Sequence, residues 1–150
     1  MDSFDRQILR SLQKNCRLST EMLGSQIGLS ATACQRRIKK LKESGIITKE
    51  VAILDSIRVG SYVTVIVDVV LKQGSASNID SFKERMHHHP QVQQCYYVTG
   101  DSDFILIITA ENMLEYETLT RELFFAELTV QKFHSTVVME NVKVGLDIPL

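Results

Sequence analysis

Residues 28–45 read GLSATACQRRIKKLKESG, and this stretch decides the fold of the N-terminal third of the chain. Gly28 suits the left-handed backbone that ends one helix, and Ser30 suits the cap that begins the next. We expect that next helix to run to about Ser44, where Gly45 stops it. At 100° per residue, three apolar side chains share one side of this helix and form its predicted buried stripe: Cys34, Ile38 and Leu41.

The opposite side of this helix carries hydroxyl, amide, guanidinium and ammonium groups. Such groups hydrogen-bond base edges and phosphates in the major groove of DNA, and the helix start offers free N–H groups to a phosphate. An exposed helix side can also be charged simply because it faces water. The candidate DNA-contacting residues are Ser30, Ala31, Thr32, Gln35, Arg36, Lys39 and Lys40.

Two further helices are predicted before this one. The first covers Asp5–Asn15, and the second is short, begins at Ser19 or Thr20 and ends at Gly28. A short helix, a turn containing glycine and a longer helix together are typical of a helix-turn-helix.

Charge is distributed unevenly along the 150 residues. Residues 1–60 hold 11 basic and 6 acidic side chains, net +5, whereas residues 61–150 hold 6 basic and 12 acidic ones, net −6. A basic front therefore favours a polyanionic partner, and the acidic back predicts a separate domain with another partner.

No apolar run is long enough to span a membrane, and no signal peptide begins the chain, so we expect a cytoplasmic protein with no membrane partner.

The back half follows the order β-α-β-β-α-β. The strands are predicted at 62–71, 92–99, 104–110 and 129–142, with a turn at 72–75, and one helix is capped by Asn112. This order predicts a ferredoxin-like domain, in which a four-stranded antiparallel sheet has both helices on one face. The other face is rich in Val and Ile, and a partner subunit is its simplest cover.

The predicted fold class is therefore α+β, with an N-terminal (winged) helix-turn-helix followed by a ferredoxin-like domain. The expected domains are a helix-turn-helix at 1–50, a linker strand at 51–60 and the ferredoxin-like domain at 61–150.

The ordered set of motifs resembles the leucine-responsive regulator and asparagine-operon regulator (Lrp/AsnC) family of transcription regulators. The matching stretches span nearly the whole chain: 5–9, 29–34, 36–41, 45–47, 100–104 and 137–140. The chain departs from the family at Ala31 and Ala33, where prolines are usual. Proline at the first turn of a helix only presets φ, so DNA binding should survive this change.

The resemblance implies that the back domain binds an amino acid or similar small molecule. It also implies that homodimers assemble into octamers or related rings, with the effector in a cleft between dimers. Carried over by motif, the effector-binding residues are Gly100, Asp101, Asp103, Met113, Thr136, Val137 and Val138, and Tyr97 is expected to line the cleft. Two alternatives stay open for the Gly100–Asp103 stretch: a plain hairpin turn, and a divalent metal held by its two carboxylates. Thr136 is smaller than the residue often found there, which leaves the identity of the effector open.

No metal site, cofactor or catalytic set is predicted. His87, His88 and His89 end a helix and point 100° apart, so a solvated helix end is favoured over a metal site. The three cysteines have no CxxC spacing.

The main functional hypothesis is a DNA-binding regulator that responds to an amino acid through its assembly. The alternatives are a helix-turn-helix module that docks protein without reading DNA, and an enzyme on the ferredoxin-like sheet.

Overall fold

The computed structural model describes residues 1–60, 62–72, 76–126 and 128–150. These residues form two compact units. One contains Met1–Ile53 together with Lys143–Leu150, and the other contains Leu54–Val142. We call the first the N-terminal unit, the second the sheet unit, and residues 143–150 the return segment. From the sequence, residues 143–150 were predicted to belong to the ferredoxin-like domain at 61–150. In the structure these residues instead make their contacts within the N-terminal unit.

Three helices build the N-terminal unit: α1 (Ser3–Lys14), α2 (Thr20–Ile27) and α3 (Ala31–Glu43). They enclose a small core of buried side chains from all three helices: Ile8, Leu9, Leu23, Cys34 and Leu41. Ser19 and Ser30 cap α2 and α3 as predicted, by accepting hydrogen bonds from Met22 N and Ala33 N. The start of α1 was predicted at Asp5, but Asp2 is its cap. Asp2 and Asp5 each accept a hydrogen bond from the other's backbone N–H, which is a capping box.

The turn between α2 and α3 depends on two glycines. Gly28 has φ 77°, the left-handed conformation that the sequence predicted. Gly24 is buried inside α2, and a Cβ at this position would lie 2.4 Å from the backbone oxygen of Leu29. The chain can therefore fold back this closely onto α2 only because residue 24 has no side chain.

The predicted linker strand and wing are absent from residues 46–60, all of which the structure describes. This stretch is irregular apart from a four-residue helix, α4 (Ser56–Val59), capped by Asp55. Val51, Ile53 and Leu54 are exposed. A strand needs a neighbour for its backbone hydrogen bonds, and within this chain no described strand pairs with these residues.

The sheet unit has the predicted β-α-β-β-α-β order. Its strands are β1 (Val63–Leu71), β2 (Val92–Tyr97), β3 (Phe104–Ala110) and β4 (Val130–Val137). Its long helices are α5 (Ala76–His88) and α6 (Met113–Thr120), and a π-helical turn at Arg121–Phe125 continues α6. The strands lie in the order β2-β3-β1-β4 and all pairs are antiparallel, so the predicted fold class is confirmed. The turn predicted at 72–75 falls largely on residues 73–75, outside the described residues.

One face of this sheet forms the core of the unit. Buried side chains alternate along β1 and β3, and they pack with Phe82 and Met86 of α5 and with Leu119 of α6. Among the described residues, this core takes its sheet side chains from that face alone. The other face, which we call the open face, carries half-buried Ile66, Val70, Ile105 and Ile107.

The last strand ends earlier than predicted, at Val137 instead of Val142. Val137 pairs with Val65, and Val138 N still donates to Thr64 O at 2.9 Å, but β1 begins at Val63. Beyond Val138, β4 therefore has no further residues of β1 to pair with.

Among the described residues, no helix is both long and apolar enough to cross a membrane.

Candidate nucleic-acid interface and ligand-binding residues

The predicted DNA-contacting residues lie on one accessible side of α3 and at its start. Ala31 is half-buried and the others are exposed: Ser30, Thr32, Gln35, Arg36, Lys39 and Lys40. The buried stripe lies opposite, since Cys34 is completely buried and Leu41 nearly so. The buried and exposed sides of α3 that were predicted from the sequence are therefore correct. The contact with DNA itself stays a prediction.

The cations on this side of α3 are available to a ligand. Among the described residues, neither Arg36 nor Lys40 forms a salt bridge, and Lys39 lies 3.7 Å from Glu43 with both side chains more than 60% exposed. An exposed pair at that distance contributes little, because water screens it and both side chains lose entropy in forming it. The surface can therefore exchange water for phosphate oxygens without first breaking a strong internal ion pair.

Arg37 has a different role, which the sequence did not reveal. Its guanidinium contacts Asp2 Oδ2 at 2.8 Å and Asp5 Oδ1 at 2.7 Å, and it lies 5.6 Å from the centre of the Phe4 ring. These contacts fix α3 to the start of α1. Local patterns could not predict them, because the partners lie more than 30 residues apart in sequence.

The same contacts lower the pKa of both carboxyl groups. For Asp2 the largest cause is the hydrogen bond from the Asp5 backbone, and for Asp5 it is the hydrogen bond from the Asp2 backbone; Arg37 adds to both. The carboxylates are therefore held ionised, as a capping box at the positive end of a helix requires.

The predicted effector-binding residues fall into two groups. Tyr97, Gly100, Asp101 and Asp103 lie at the turn between β2 and β3, and we call them the turn half-site. Met113, Thr136, Val137 and Val138 lie at the start of α6 and the end of β4, and we call them the strand half-site.

The pairing of the strands puts these two half-sites at opposite ends of the sheet. Asp103 contacts the backbone of Val69 and Leu71, whereas Val138 contacts Thr64 and Val137 pairs with Val65. Leu71 lies seven positions after Thr64 along β1, a span of about 23 Å at ~3.3 Å per residue. A single copy of the sheet unit therefore does not bring the two half-sites together around one amino acid.

Within the turn half-site, the two carboxylates have different surroundings. Asp103 is half-buried: its Oδ2 accepts a hydrogen bond from Leu71 N at 2.7 Å, and its own N–H donates to Val69 O at 2.9 Å. Asp101 is exposed, and Gly100 precedes it with φ 126°, a conformation that favours glycine. Asp103 thus anchors the turn to β1, and Asp101 is the carboxylate presented to solvent.

The strand half-site presents apolar and hydroxyl groups. Met113 is 47% exposed and Val137 is 41% exposed, so both side chains can contact a ligand. Next to them, the hydroxyl groups of Tyr116 and Ser135 lie 2.5 Å apart and connect α6 to β4. Burial raises the pKa of Tyr116, and the contact with Ser135 opposes this effect.

Among the described residues, no group of three or more His, Cys, Asp or Glu side chains could hold an ion. His87 and His88 are exposed at the end of α5, where His88 Nδ1 lies 2.8 Å from the backbone oxygen of Glu84.

Both parts of the chain match models of known protein families. Residues 1–42 match the AsnC-type helix-turn-helix domain, and residues 64–147 match the Lrp/AsnC ligand binding domain. An uncharacterised HTH-type transcriptional regulator of Sinorhizobium fredii is 43% identical over 150 residues, which cover all of this chain and 89% of that protein.

Solved structures agree over the whole length. The crystal structure of an AsnC family transcriptional regulator from Agrobacterium tumefaciens has a TM-score of 0.92 and 33% identity, with 99% of this chain and 97% of that chain covered. A transcriptional regulator of Neisseria meningitidis, solved as a complex with L-Met, has a TM-score of 0.92 and 26% identity, with 99% and 96% covered.

A helix-turn-helix joined to a ligand-binding sheet domain defines a ligand-responsive, DNA-binding transcription regulator. Within that class, the chain belongs to the Lrp/AsnC family, which confirms the family predicted from the motifs.

Proposed function

We propose that this regulator reads DNA with the exposed side of α3, and that an amino acid bound between copies of the chain changes its assembly. The observation that carries the DNA part is the row of cations on α3. Arg36 and Lys40 have no salt-bridge partner among the described residues, and Gln35 is exposed beside them. Arginine can bind guanine through two hydrogen bonds, glutamine can do the same for adenine, and lysine suits phosphate.

The start of α3 supports the same proposal. Ser30 Oγ accepts a hydrogen bond from Ala33 N at 3.2 Å and so caps the helix. The positive end of the helix dipole still favours an anion there, and Thr32 is exposed for a further hydrogen bond. A phosphate at this end would orient α3 in the major groove, and the side chains further along would read bases.

Homodimerisation through the open face of the sheet is the second part of the proposal. Ile66 and Val70 of β1 and Ile105 and Ile107 of β3 form an apolar strip on that face, interrupted by half-buried Asp68, which lies between Ile66 and Val70 and pairs with Ile105. Two copies that pack these strips together would exclude water from both, and a two-fold axis needs only one self-complementary patch. Such a dimer presents two copies of α3, which predicts a pseudo-palindromic DNA site.

The effector is proposed to be an amino acid held between subunits. The related N. meningitidis structure contains L-Met. Asp101 offers an acceptor to an ammonium group, backbone N–H groups of the turn suit a carboxylate, and Met113 and Val137 suit an apolar side chain. Within one copy the turn half-site contacts β1 at Val69 and Leu71 and the strand half-site contacts it at Thr64 to Ile66, so we assign each cleft to two different chains.

This arrangement implies regulation by linkage. An effector that binds only where the turn half-site of one copy meets the strand half-site of another favours assemblies that contain this contact. The assembly in turn determines how many copies of α3 contact DNA together. Octamers or related rings built from dimers provide such contacts.

Binding to duplex DNA tests the proposal. Duplexes selected by the wild-type protein from a random-sequence pool provide the probe, and fluorescence anisotropy gives Kd at several salt concentrations. Arg36→Ala should weaken binding by about 1–3 kcal/mol, which is roughly 5- to 150-fold in Kd. Arg6 is also exposed and lies on α1, so Arg6→Ala is the matched control: it removes the same charge outside the proposed face.

Each outcome bears on the proposal. A large loss for Arg36→Ala beside a loss of no more than about twofold for Arg6→Ala supports the face on α3, since a distant charge is screened. Equal losses, or an unchanged affinity and salt dependence for Arg36→Ala, would contradict it. Wild-type binding with little dependence on salt and no sequence preference would instead favour a protein-docking module.

A further inference from the structure

The return segment, residues 143–150, docks on α1 inside the N-terminal unit. The side-chain amide of Gln13 pairs with the backbone of Ile148 in both directions: Gln13 Nε2 donates to Ile148 O at 3.0 Å, and Ile148 N donates to Gln13 Oε1 at 2.7 Å. A side-chain amide has the same donor and acceptor as a peptide group, so this pair imitates one rung of a β-ladder.

A second contact fixes the register of the segment. Arg10 Nε donates to the backbone oxygen of Leu150, and the side chain of Leu150 is half-buried against the core of the N-terminal unit. Arg10 and Gln13 are three positions apart on α1, and Ile148 and Leu150 are two positions apart in an extended chain. Their spacings of about 4.5 Å and about 6.6 Å are close enough for both contacts to form together.

The local sequence favours the extended conformation of the return segment even before it docks. Pro149 fixes its own φ and has no N–H to leave unpaired, and it biases Ile148 towards the extended region. The segment therefore loses less conformational entropy on docking than an ordinary peptide of the same length would. The contacts made by Ile148 are through its backbone, so Gln13 recognises an extended chain in a defined register.

Docking connects the two units a second time. The chain passes from the N-terminal unit to the sheet unit between Ile53 and Leu54, and it returns between Val142 and Lys143. Only residues 138–142 separate the end of β4 from the return segment. The strand that carries Thr136 and Val137 of the strand half-site is thus continued by a short stretch into a peptide bound to α1.

We propose that the return segment is a strap that couples β4 to the DNA-binding helices. α1 receives the strap at Arg10 and Gln13, and its start is joined to α3 through Arg37, Asp2 and Asp5. A change in β4 can therefore act on α3 through the strap as well as through the chain connection between Ile53 and Leu54. This inference rests on the proposed function, because it names the path by which ligand binding and DNA binding influence each other.

Hydrogen–deuterium exchange on the full chain tests the strap. In the wild type the Ile148 amide should be protected, since it donates to Gln13. Gln13→Leu removes both hydrogen bonds and should raise its exchange rate at least about tenfold. Lys14→Ala is the matched control on the next residue of α1, and it should leave the Ile148 rate as in the wild type.

The functional readout uses the same selected duplex DNA as probe. Coupling is reciprocal, so DNA binding in the wild type and in Lys14→Ala should change exchange in β4. Gln13→Leu should still bind the duplex but should lose most of this change in β4. Equal Ile148 rates in the wild type and Gln13→Leu would overturn docking, and an equal response of β4 in both would overturn coupling. If the wild type does not bind the duplex, the anisotropy measurement shows this directly, and the proposed function fails while the comparison of Ile148 rates still decides docking.

Discussion

Asp101 and Asp103 lie two positions apart in one turn, and the sequence offered both as acceptors for an effector. Their surroundings separate them. Asp103 accepts the hydrogen bond from Leu71 N and is half-buried, whereas Asp101 is exposed next to Gly100. We therefore assign Asp103 mainly to holding the turn and Asp101 to the ligand. A pattern of Gly and Asp predicts a turn correctly, but it cannot show which carboxylate points back to the sheet.

Substitution at these two positions gives opposite expectations. Asp103→Ala leaves the Leu71 N–H without its acceptor and should destabilise the protein by about 1–2 kcal/mol. Asp101→Ala should leave the melting temperature without ligand unchanged, and it should abolish the increase that L-methionine or another bound amino acid produces in the wild type. Thermal unfolding with and without the amino acid measures both effects.

The control for this pair is Asp103→Asn, which keeps an acceptor oxygen and should retain most of the stability lost in Asp103→Ala. If Asp101→Ala lowers the melting temperature without ligand as much as Asp103→Ala does, the assignment of the two roles is incorrect.

At the scale of elements, the helix-turn-helix was the most predictable part of the chain. Ser19, Gly28 and Ser30 mark helix ends by local rules, and the predicted boundaries at these residues agree with the structure. β3 was predicted without error at 104–110, because the turn at 100–103 precedes this apolar run and Asn112 caps the helix that follows it. The start of α1 was less predictable, since Asp2 and Asp5 both suit a cap and only the paired hydrogen bonds distinguish them.

Other elements depend on what lies beside them in space. The apolar stretch at 51–54 suits a strand by composition, but it has no pairing partner within the described part of this chain. The β-branched residues after Val137 also suit a strand, but β1 begins at Val63 and offers no further partner. Composition therefore predicted strand propensity, and the length of the neighbouring strand decided where the strand ended.

Gly24 provides a direct test of the turn between α2 and α3. Gly24→Ala adds a Cβ about 2.4 Å from the Leu29 backbone oxygen, so the turn must shift. We expect a loss of about 1–3 kcal/mol in the free energy of unfolding, similar to overpacking a core, and weaker DNA binding because α3 moves. Chemical denaturation measures the free energy, and anisotropy measures binding.

Gly145→Ala is the matched control, because a Cβ at Gly145 would meet no described atom within 4 Å. It should leave stability and DNA affinity unchanged. A wild-type free energy of unfolding for Gly24→Ala would show that α2 and the turn do not pack as closely as described.

At the scale of the whole molecule, the strongest departure from expectation is the return segment. The hydrogen bonds between Gln13 and Ile148 join residues 135 positions apart, and neither residue belongs to a motif that signals this contact. The family resemblance supplied the predicted effector-binding residues but not their distribution within one copy. The strand register then showed that they form two half-sites at opposite ends of one sheet.

The central claim is that the ligand site is completed by a second copy of the chain, and mixing two variants tests it most directly. Asp101→Asn alters the turn half-site and Met113→Asp alters the strand half-site, at residues that are both exposed. Equilibrium dialysis gives the number of L-methionine molecules bound per chain for the wild type, for each variant alone, and for an equal mixture of the two that has been unfolded and refolded together.

If each cleft joins two chains, neither variant alone should bind, and the mixture should regain about a quarter of the wild-type sites, because random pairing unites two unaltered half-sites that often. A mixture that binds no more than either variant alone, beside a wild type that binds L-methionine, would contradict a site shared between copies.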